Sequence, residues 1–298
     1  MKRLLTVILI TVFLASFALV SAAATYNAPN LKPVLDGKFS AEEWTGAQKI
    51  TLDKTTSSSW GGNAIAIGDR VVDWYFAWDG DGLYMAVITK GDTTPFQTSD
   101  AEVWFPAADS IQVAFDPDVS IVGAQSMFFT IGAPANAVPV TYKHYYDATP
   151  GLVNDRGIQG ISTANDGTGY VIEMMFPWSV LKTAGDMGGV PMDFTNWKTD
   201  VGTKIGLMLV SCDATDEGSL YFRSDAVEGT DPAWNADELT LSITLGASPV
   251  VEAPVVEPVV EPVAEDNPPT SDAAIYGFLM LASLLTIVIV LKAKKVNA

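Results

Sequence analysis

The chain has 298 residues, and its 35 acidic against 17 basic side chains give a formal net charge of −18. So acidic a molecule repels phosphate backbones and other polyanions, which excludes nucleic acid as a partner but leaves neutral polymers and cations open. One cysteine, Cys212, excludes an internal disulfide, so a folded domain must be held by its core alone.

Residues 1–24 begin with Lys2 and Arg3, continue as an apolar run from Leu4 to Val20 and end on small residues. That order is a secretory signal cut near Ala22–Ala24, and it predicts an exported product. A body of roughly 220 residues follows, enough for a single large β domain with a sizeable core. Residues 25–249 hold 29 acids and 12 bases, a net charge of −17.

At the start of this domain, Pro33-Val34-Leu35-Asp36-Gly37 reads as a short strand into a turn. Ser40–Trp44 reads as a capped helical turn that tucks Trp44 inward. Val71–Trp78 alternates, with Val72, Trp74, Phe76 and Trp78 on one face. Asp79-Gly80-Asp81-Gly82 then predicts a tight hairpin turn whose glycines take positive φ, with Leu83–Lys90 returning antiparallel. As calcium ligands these aspartates lack the spacing and closing glutamate of an EF-hand loop.

The most sharply defined stretch is Glu102–Pro117. Ile111, Val113 and Phe115 alternate with Ser110, Gln112 and Ala114, Asp109 opens the strand, and Asp116-Pro117 closes it. Trp104 lies in the loop that feeds this strand, either folded onto the core or held out for a ligand. Met127–Ile131 is a further strand, while Pro134–Arg156, with Tyr142, His144, Tyr145 and Tyr146, reads as a long surface loop. Gly169–Phe176 alternates again and leads into a short helix at Trp178–Leu181. Ile205–Cys212, Leu220–Arg223 and Leu239–Leu245 complete the strands, with Trp234 on the turn-rich segment Asp231-Pro232-Ala233-Trp234-Asn235. Eight or more short strands with turn signals between them predict an all-β fold, an antiparallel β-sandwich of jelly-roll type spanning residues 25–246. Trp60, between Ser59 and Gly61, has no clear place in it.

From Ala247 the composition changes. Residues 247–272 repeat Val-Val-Glu-Pro units that form no core and predict a disordered, extended stalk. Residues 273–291 are apolar and long enough to cross a bilayer, and Lys292, Lys294 and Lys295 in the tail 292–298 fix that end inside. The junction Asn267-Pro268-Pro269-Thr270-Ser271-Asp272, with the helix and lysines after it, resembles the sorting signals of Gram-positive surface proteins. That resemblance implies a sortase cutting between Thr270 and Ser271 and cell-wall attachment; a plain membrane anchor is the alternative. Both imply display at the cell surface. The segment departs from the common Leu-Pro-x-Thr-Gly form at Asn267 and Ser271.

A second resemblance covers the domain. Val34-Leu35-Asp36-Gly37 with Trp44, Trp78-Asp79-Gly80-Asp81-Gly82-Leu83-Tyr84, Asp109-Ser110-Ile111-Gln112, Gly169-Tyr170-Val171-Ile172-Glu173 with Pro177-Trp178, and Ile205-Gly206-Leu207 follow one another in a known order. Together they resemble the family 9 carbohydrate-binding modules, within the wider DOMON-like sandwich group, from about Val34 to Leu245. The resemblance implies a non-catalytic module that holds a plant-type polysaccharide or oligosaccharide sugar between two tryptophans. Those positions fall on Trp104 and Trp234. The family's strand acid falls on Gln112, a neutral group in place of a charge, and its arginine has no match within Met127–Ile131. Asp231 and Asn235 are polar partners beside Trp234. Metals in the resembled family, with aspartates grouped at 79/81, 116/118 and 213/216, also imply a structural calcium.

Three other readings stand beside this one. A glycan-active enzyme needs two placed carboxylates, and no pair in the sequence has a defensible arrangement. A haem-binding DOMON-like domain needs axial ligands such as Met or His, and Met85, Met127, Met174 and Met175 lie mostly in strand patterns. A structural or adhesive surface protein needs no site at all.

Overall fold

Apolar residues at every second position put two sheets face to face, as seen in a computed structural model of the protein. It describes residues 24–59, 68–99, 108–116, 127–144, 151–187, 190–215, 218–223 and 241–249. The strands of the first half are β1 (Ala24–Ala28), β2 (Ile50–Leu52), β3 (Ser58–Ser59), β4 (Val71–Trp78), β5 (Gly82–Lys90), β6 (Ser110–Asp116), β7 (Met127–Gly132) and β8 (Val140–Lys143). Those of the second half are β9 (Gly151–Leu152), β10 (Gln159–Ser162), β11 (Gly169–Pro177), β12 (Ala184–Met187), β13 (Val190–Asp193), β14 (Lys204–Thr215), β15 (Gly218–Arg223) and β16 (Leu241–Leu245). One helical turn, Trp178–Leu181, follows β11, and one 3-10 turn, Asn154–Arg156, follows β9. Among the described residues no helix is long and apolar enough to cross a membrane; residues 273–291 lie outside them.

The smaller sheet runs β10-β11-β5-β4-β2 and is antiparallel throughout. The larger runs β1-β16-β14-β6-β7-β8-β9, with β15 pairing β14 and β3. It is antiparallel except at its edge, where β1 runs parallel to β16. Between the sheets lies one apolar core. Val72, Trp74, Phe76 and Trp78 of β4 and Tyr170, Ile172, Met174 and Phe176 of β11 face Ile111, Val113 and Phe115 of β6 and Met127, Phe129 and Ile131 of β7. Phe176 meets Phe115 edge-on at 5.5 Å and Phe129 at 5.1 Å, tying one sheet to the other. The sandwich expected from the alternation is thus the one observed.

The outer face of the smaller sheet is covered by the chain before β2. Trp44 is buried there with Tyr84, Ala86 and Met175, and Leu31, Leu35 and Phe39 pack against them. Ser40 Oγ accepts the Glu43 amide N–H, the helical-turn cap that the sequence suggests. Glu173, fully buried on β11, holds this cover down. Its Oε2 accepts the amide N–H groups of Asp36 (3.2 Å) and Gly37 (2.8 Å), and its Oε1 accepts the indole N–H of Trp44 (3.3 Å). Burial raises the Glu173 pKa, against the lowering effect of these three donors.

The structure corrects three expectations. Pro33–Asp36 is not a strand but extended cover bonded to Glu173. Gly80 and Gly82 do not take positive φ; Gly82 is required because a Cβ there would lie 2.3 Å from the Phe176 carbonyl oxygen on the neighbouring strand. The turn is closed by Asp79 instead, whose Oδ1 accepts the Asp81 and Gly82 amides while Oδ2 accepts the Tyr84 hydroxyl. Finally, the segment 134–156 is not a surface loop throughout. It holds β8, β9 and the 3-10 turn, with Thr141, Lys143 and Val153 fully buried. Lys143 escaped the apolar pattern because its ammonium is satisfied inside, donating to the Val180 carbonyl at 2.9 Å and to Thr183 Oγ1 at 2.6 Å.

Candidate functional site

Because Ile111, Val113 and Phe115 point into the core, Ser110, Gln112 and Ala114 of β6 must point to the opposite face of the larger sheet. Phe128 and Thr130 of β7 and Met208, Val210 and Cys212 of β14 share that face by register. Ala114, Phe128, Met208, Val210 and Cys212 form a second apolar cluster there. Into it are set three polar groups. Gln112 Nε2 donates to Thr130 Oγ1 at 3.1 Å, and Thr130 Oγ1 lies 2.7 Å from His144 Nε2. Gln112 and Thr130 are direct cross-strand partners, and Tyr142 of β8 stands opposite Thr130 on the other side. The imidazole of His144 packs against Phe128 (4.7 Å between ring centres) and Tyr142 (4.9 Å). Burial disfavours its charged form and pushes its pKa down to about 4.

Gln112, expected to bond a ligand, is therefore on the outer face as the pattern required, and it is 2% exposed. Trp104, Trp234, Asp231 and Asn235 lie outside the described residues, as do Trp60, Thr270 and Ser271. Thr130 and His144 were missed as site residues. The signal available was Thr130 at the centre of an otherwise apolar strand; His144 was hidden by reading its segment as loop.

A second cluster is acidic. Asp92 just after β5, Asp109 just before β6 and Asp213 in β14 are all buried, and each offers a carboxylate oxygen within 4.8 Å of the others. Asp92 accepts the Thr94 amide and the Asn165 side-chain amide, Asp109 accepts the Phe96 amide at 2.8 Å, and Asp213 is paired with Arg70. Asp213 Oδ1 is buried with no hydrogen-bond partner. Burial, reinforced by the Asp92 charge, raises the Asp213 pKa to about 6 although Arg70 pulls it down. Three hard carboxylate oxygens with one acceptor unmatched could hold a calcium-like ion. Of the grouped aspartates in the sequence, Asp79 and Asp81 are committed to the hairpin turn and to Lys32, and only Asp213 reaches this cluster. Asp118 and Asp216 lie outside the described residues. The four methionines weighed as haem ligands are all buried, three of them in the inter-sheet core.

Residues 35–240 match the family model described as "Carbohydrate family 9 binding domain-like". The chain belongs to that family. Among curated proteins none matches. Two solved structures with a similar fold are family 9 carbohydrate-binding modules from Caldicellulosiruptor kristjanssonii, one in complex with glucose and one with cellotriose. They are 13% and 14% identical, each with a TM-score of 0.51; the matches span 78% and 82% of this chain and all of each module. Family 9 domains are non-catalytic carbohydrate-binding modules, so the chain is a binding protein and not an enzyme. The motifs that carried the resemblance have structural reasons in this member of the family. Leu35, Asp36, Gly37 and Trp44 form the cover that Glu173 pins, and Trp178 donates its indole N–H to the Asp79 carbonyl of the hairpin.

The neutral His144 gives a pH prediction. An unfolded histidine takes up its proton near pH 6.5, whereas the folded one resists to about 4. Between those values the unfolded chain binds the extra proton, so stability falls as pH falls through this window. Urea melts at pH 7 and 4.5 should show the native chain losing about 2 kcal/mol more than His144→Gln. Equal losses in the two proteins would remove this role from His144.

Proposed function

We propose that this domain binds neutral plant-type glycans, cello-oligosaccharides among them, by holding one sugar ring between Trp104 and Trp234 above Gln112. The observation that carries the reading is the polar floor of Gln112, Thr130 and His144, set in an apolar face on the strand that Trp104 precedes. A pyranose has C–H groups on its faces and hydroxyls round its edge. Flat indoles remove the faces from water, while an amide or hydroxyl at the floor bonds the edge. Family membership and the glucose and cellotriose complexes of the two similar modules support the sugar class. Asp231 and Asn235, flanking Trp234, are further edge partners. Calorimetry with cellotriose tests it. Trp104→Ala and Trp234→Ala should each weaken binding by about 2 kcal/mol or more, some thirtyfold, with urea midpoints nearly unchanged. Intact affinity with a collapsed midpoint would make both tryptophans core anchors instead.

Asp92, Asp109 and Asp213 would hold the structural calcium, supplying hard oxygens that lie within 4.8 Å of one another. After exhaustive chelation, added calcium at a hundred times its Kd should stabilise the folded chain by about 2.7 kcal/mol, and Asp109→Asn should abolish the response. A melting curve indifferent to chelator and calcium would refute the site.

The same reading places the domain outside the cell on its Val-Glu-Pro stalk, with residues 273–291 in the membrane and the Thr270–Ser271 bond cut by a sortase. If so, the native protein should appear in cell-wall digests with its C-terminus at Thr270 by mass spectrometry. Intact chains extracted only with membranes would leave the plain anchor.

A further inference from the structure

We infer that His144, acting through Thr130, is a positioning residue that fixes the orientation of the Gln112 side-chain amide, so that its carbonyl oxygen faces the ligand. This rests on the reading of Gln112 as the floor of the sugar site.

Thr130 Oγ1 has two described partners, Gln112 Nε2 at 3.1 Å and His144 Nε2 at 2.7 Å. An amide NH2 can only donate, so Thr130 accepts from Gln112. The hydroxyl carries one proton, and at 1% exposure it must be given to a partner. His144 Nε2 takes it as a lone-pair acceptor, which places the imidazole proton on Nδ1. Were Nε2 protonated, it would donate to Thr130 Oγ1, the hydroxyl proton would pass to Gln112 Oε1, and the amide would turn over to present its NH2 instead. Burial of the ring favours the neutral form that this arrangement needs.

The consequence falls on Gln112. With its NH2 held by Thr130, Oε1 is directed away from that bond, and among the described residues nothing donates to it. A free glutamine amide offers two faces of nearly equal shape and opposite polarity. This one is fixed as an acceptor, matching a sugar hydroxyl that donates, without placing a charge in the slot. Phe128 and Tyr142 keep the imidazole in place by packing on it.

Two measurements on the full chain test this. Nitrogen NMR of the imidazole should find Nε2 unprotonated and the proton on Nδ1. Cellotriose calorimetry should find that His144→Phe, which cannot accept from Thr130, binds about tenfold more weakly, whereas His144→Gln, whose amide oxygen can accept, regains most of that loss. In a Gln112→Glu background both carboxylate oxygens accept, so adding His144→Phe should change affinity less than about twofold. A protonated Nε2 overturns the inference whatever binds. So does native affinity in His144→Phe, failure of His144→Gln to rescue, or an undiminished loss in the Gln112→Glu background. The expected tautomer in a chain that binds neither glucose nor cellotriose would leave the relay standing and refute the sugar reading.

Discussion

The structure depends on the apolar contact between its two sheets, centred where Phe176 of one meets Phe115 and Phe129 of the other. Each fully buried ring contributes about 2–3 kcal/mol against exposure. Their larger effect is on register. Side chains alternate strictly along a strand, so anchoring Phe115 inward forces Gln112 outward, and a slip of one residue would bury Gln112 between the sheets and expose Val113. The Gln112–Thr130 pair is therefore placed by the core behind it. No separate device is needed to hold Gln112 and Thr130 opposite each other, because the β6–β7 pairing that packs Phe115 and Phe129 does so already.

Two buried charged groups have their bonds complete, and each fixes an element that apolar packing would leave loose. Glu173 binds the cover over the smaller sheet through three N–H donors. Lys143 ties β8 to the helical turn at Val180 and to Thr183 beyond it. Either side chain replaced by an apolar one would leave donors or acceptors buried and unpaired, at about 1–3 kcal/mol for each group. In the acidic cluster the bonds are incomplete, since among the described residues Asp213 Oδ1 is buried without a partner.

Long alternating runs were legible in the sequence. Val71–Trp78, Ser110–Asp116 and Gly169–Pro177 stand where their patterns put them, because one face of each is buried in the core. Short strands such as Ile50–Leu52 offer too few residues for a period to register. Residues 140–143 were misread for a different reason: Thr141 and Lys143 point inward, so the buried face carries polar side chains and the usual signal inverts. Glycine in the hairpin was identified rightly and explained wrongly, since its need comes from the approach of Phe176 on another strand and not from its own φ. Gln112 was singled out through resemblance and alternation, and the alternation places it on the outer face. Asp92, Asp109 and Asp213 come together only once β14 is paired with β6, which no local pattern encodes.

The parallel pairing of β1 with β16 has a consequence for how the domain is made. Thr25 and Ser242 share a hydrogen bond across 217 residues of chain, so the first strand finds its partner strand only when the last has been synthesised. Early segments can pair among themselves, as β4 does with β5, but the edge of the larger sheet stays open until then. Closure over so long a loop is slow, because its entropy is lost before any contact repays it. The edge of the larger sheet thus closes only after Leu245 has been made, whatever has folded before it. The topology itself makes the finished state wait for the last strand.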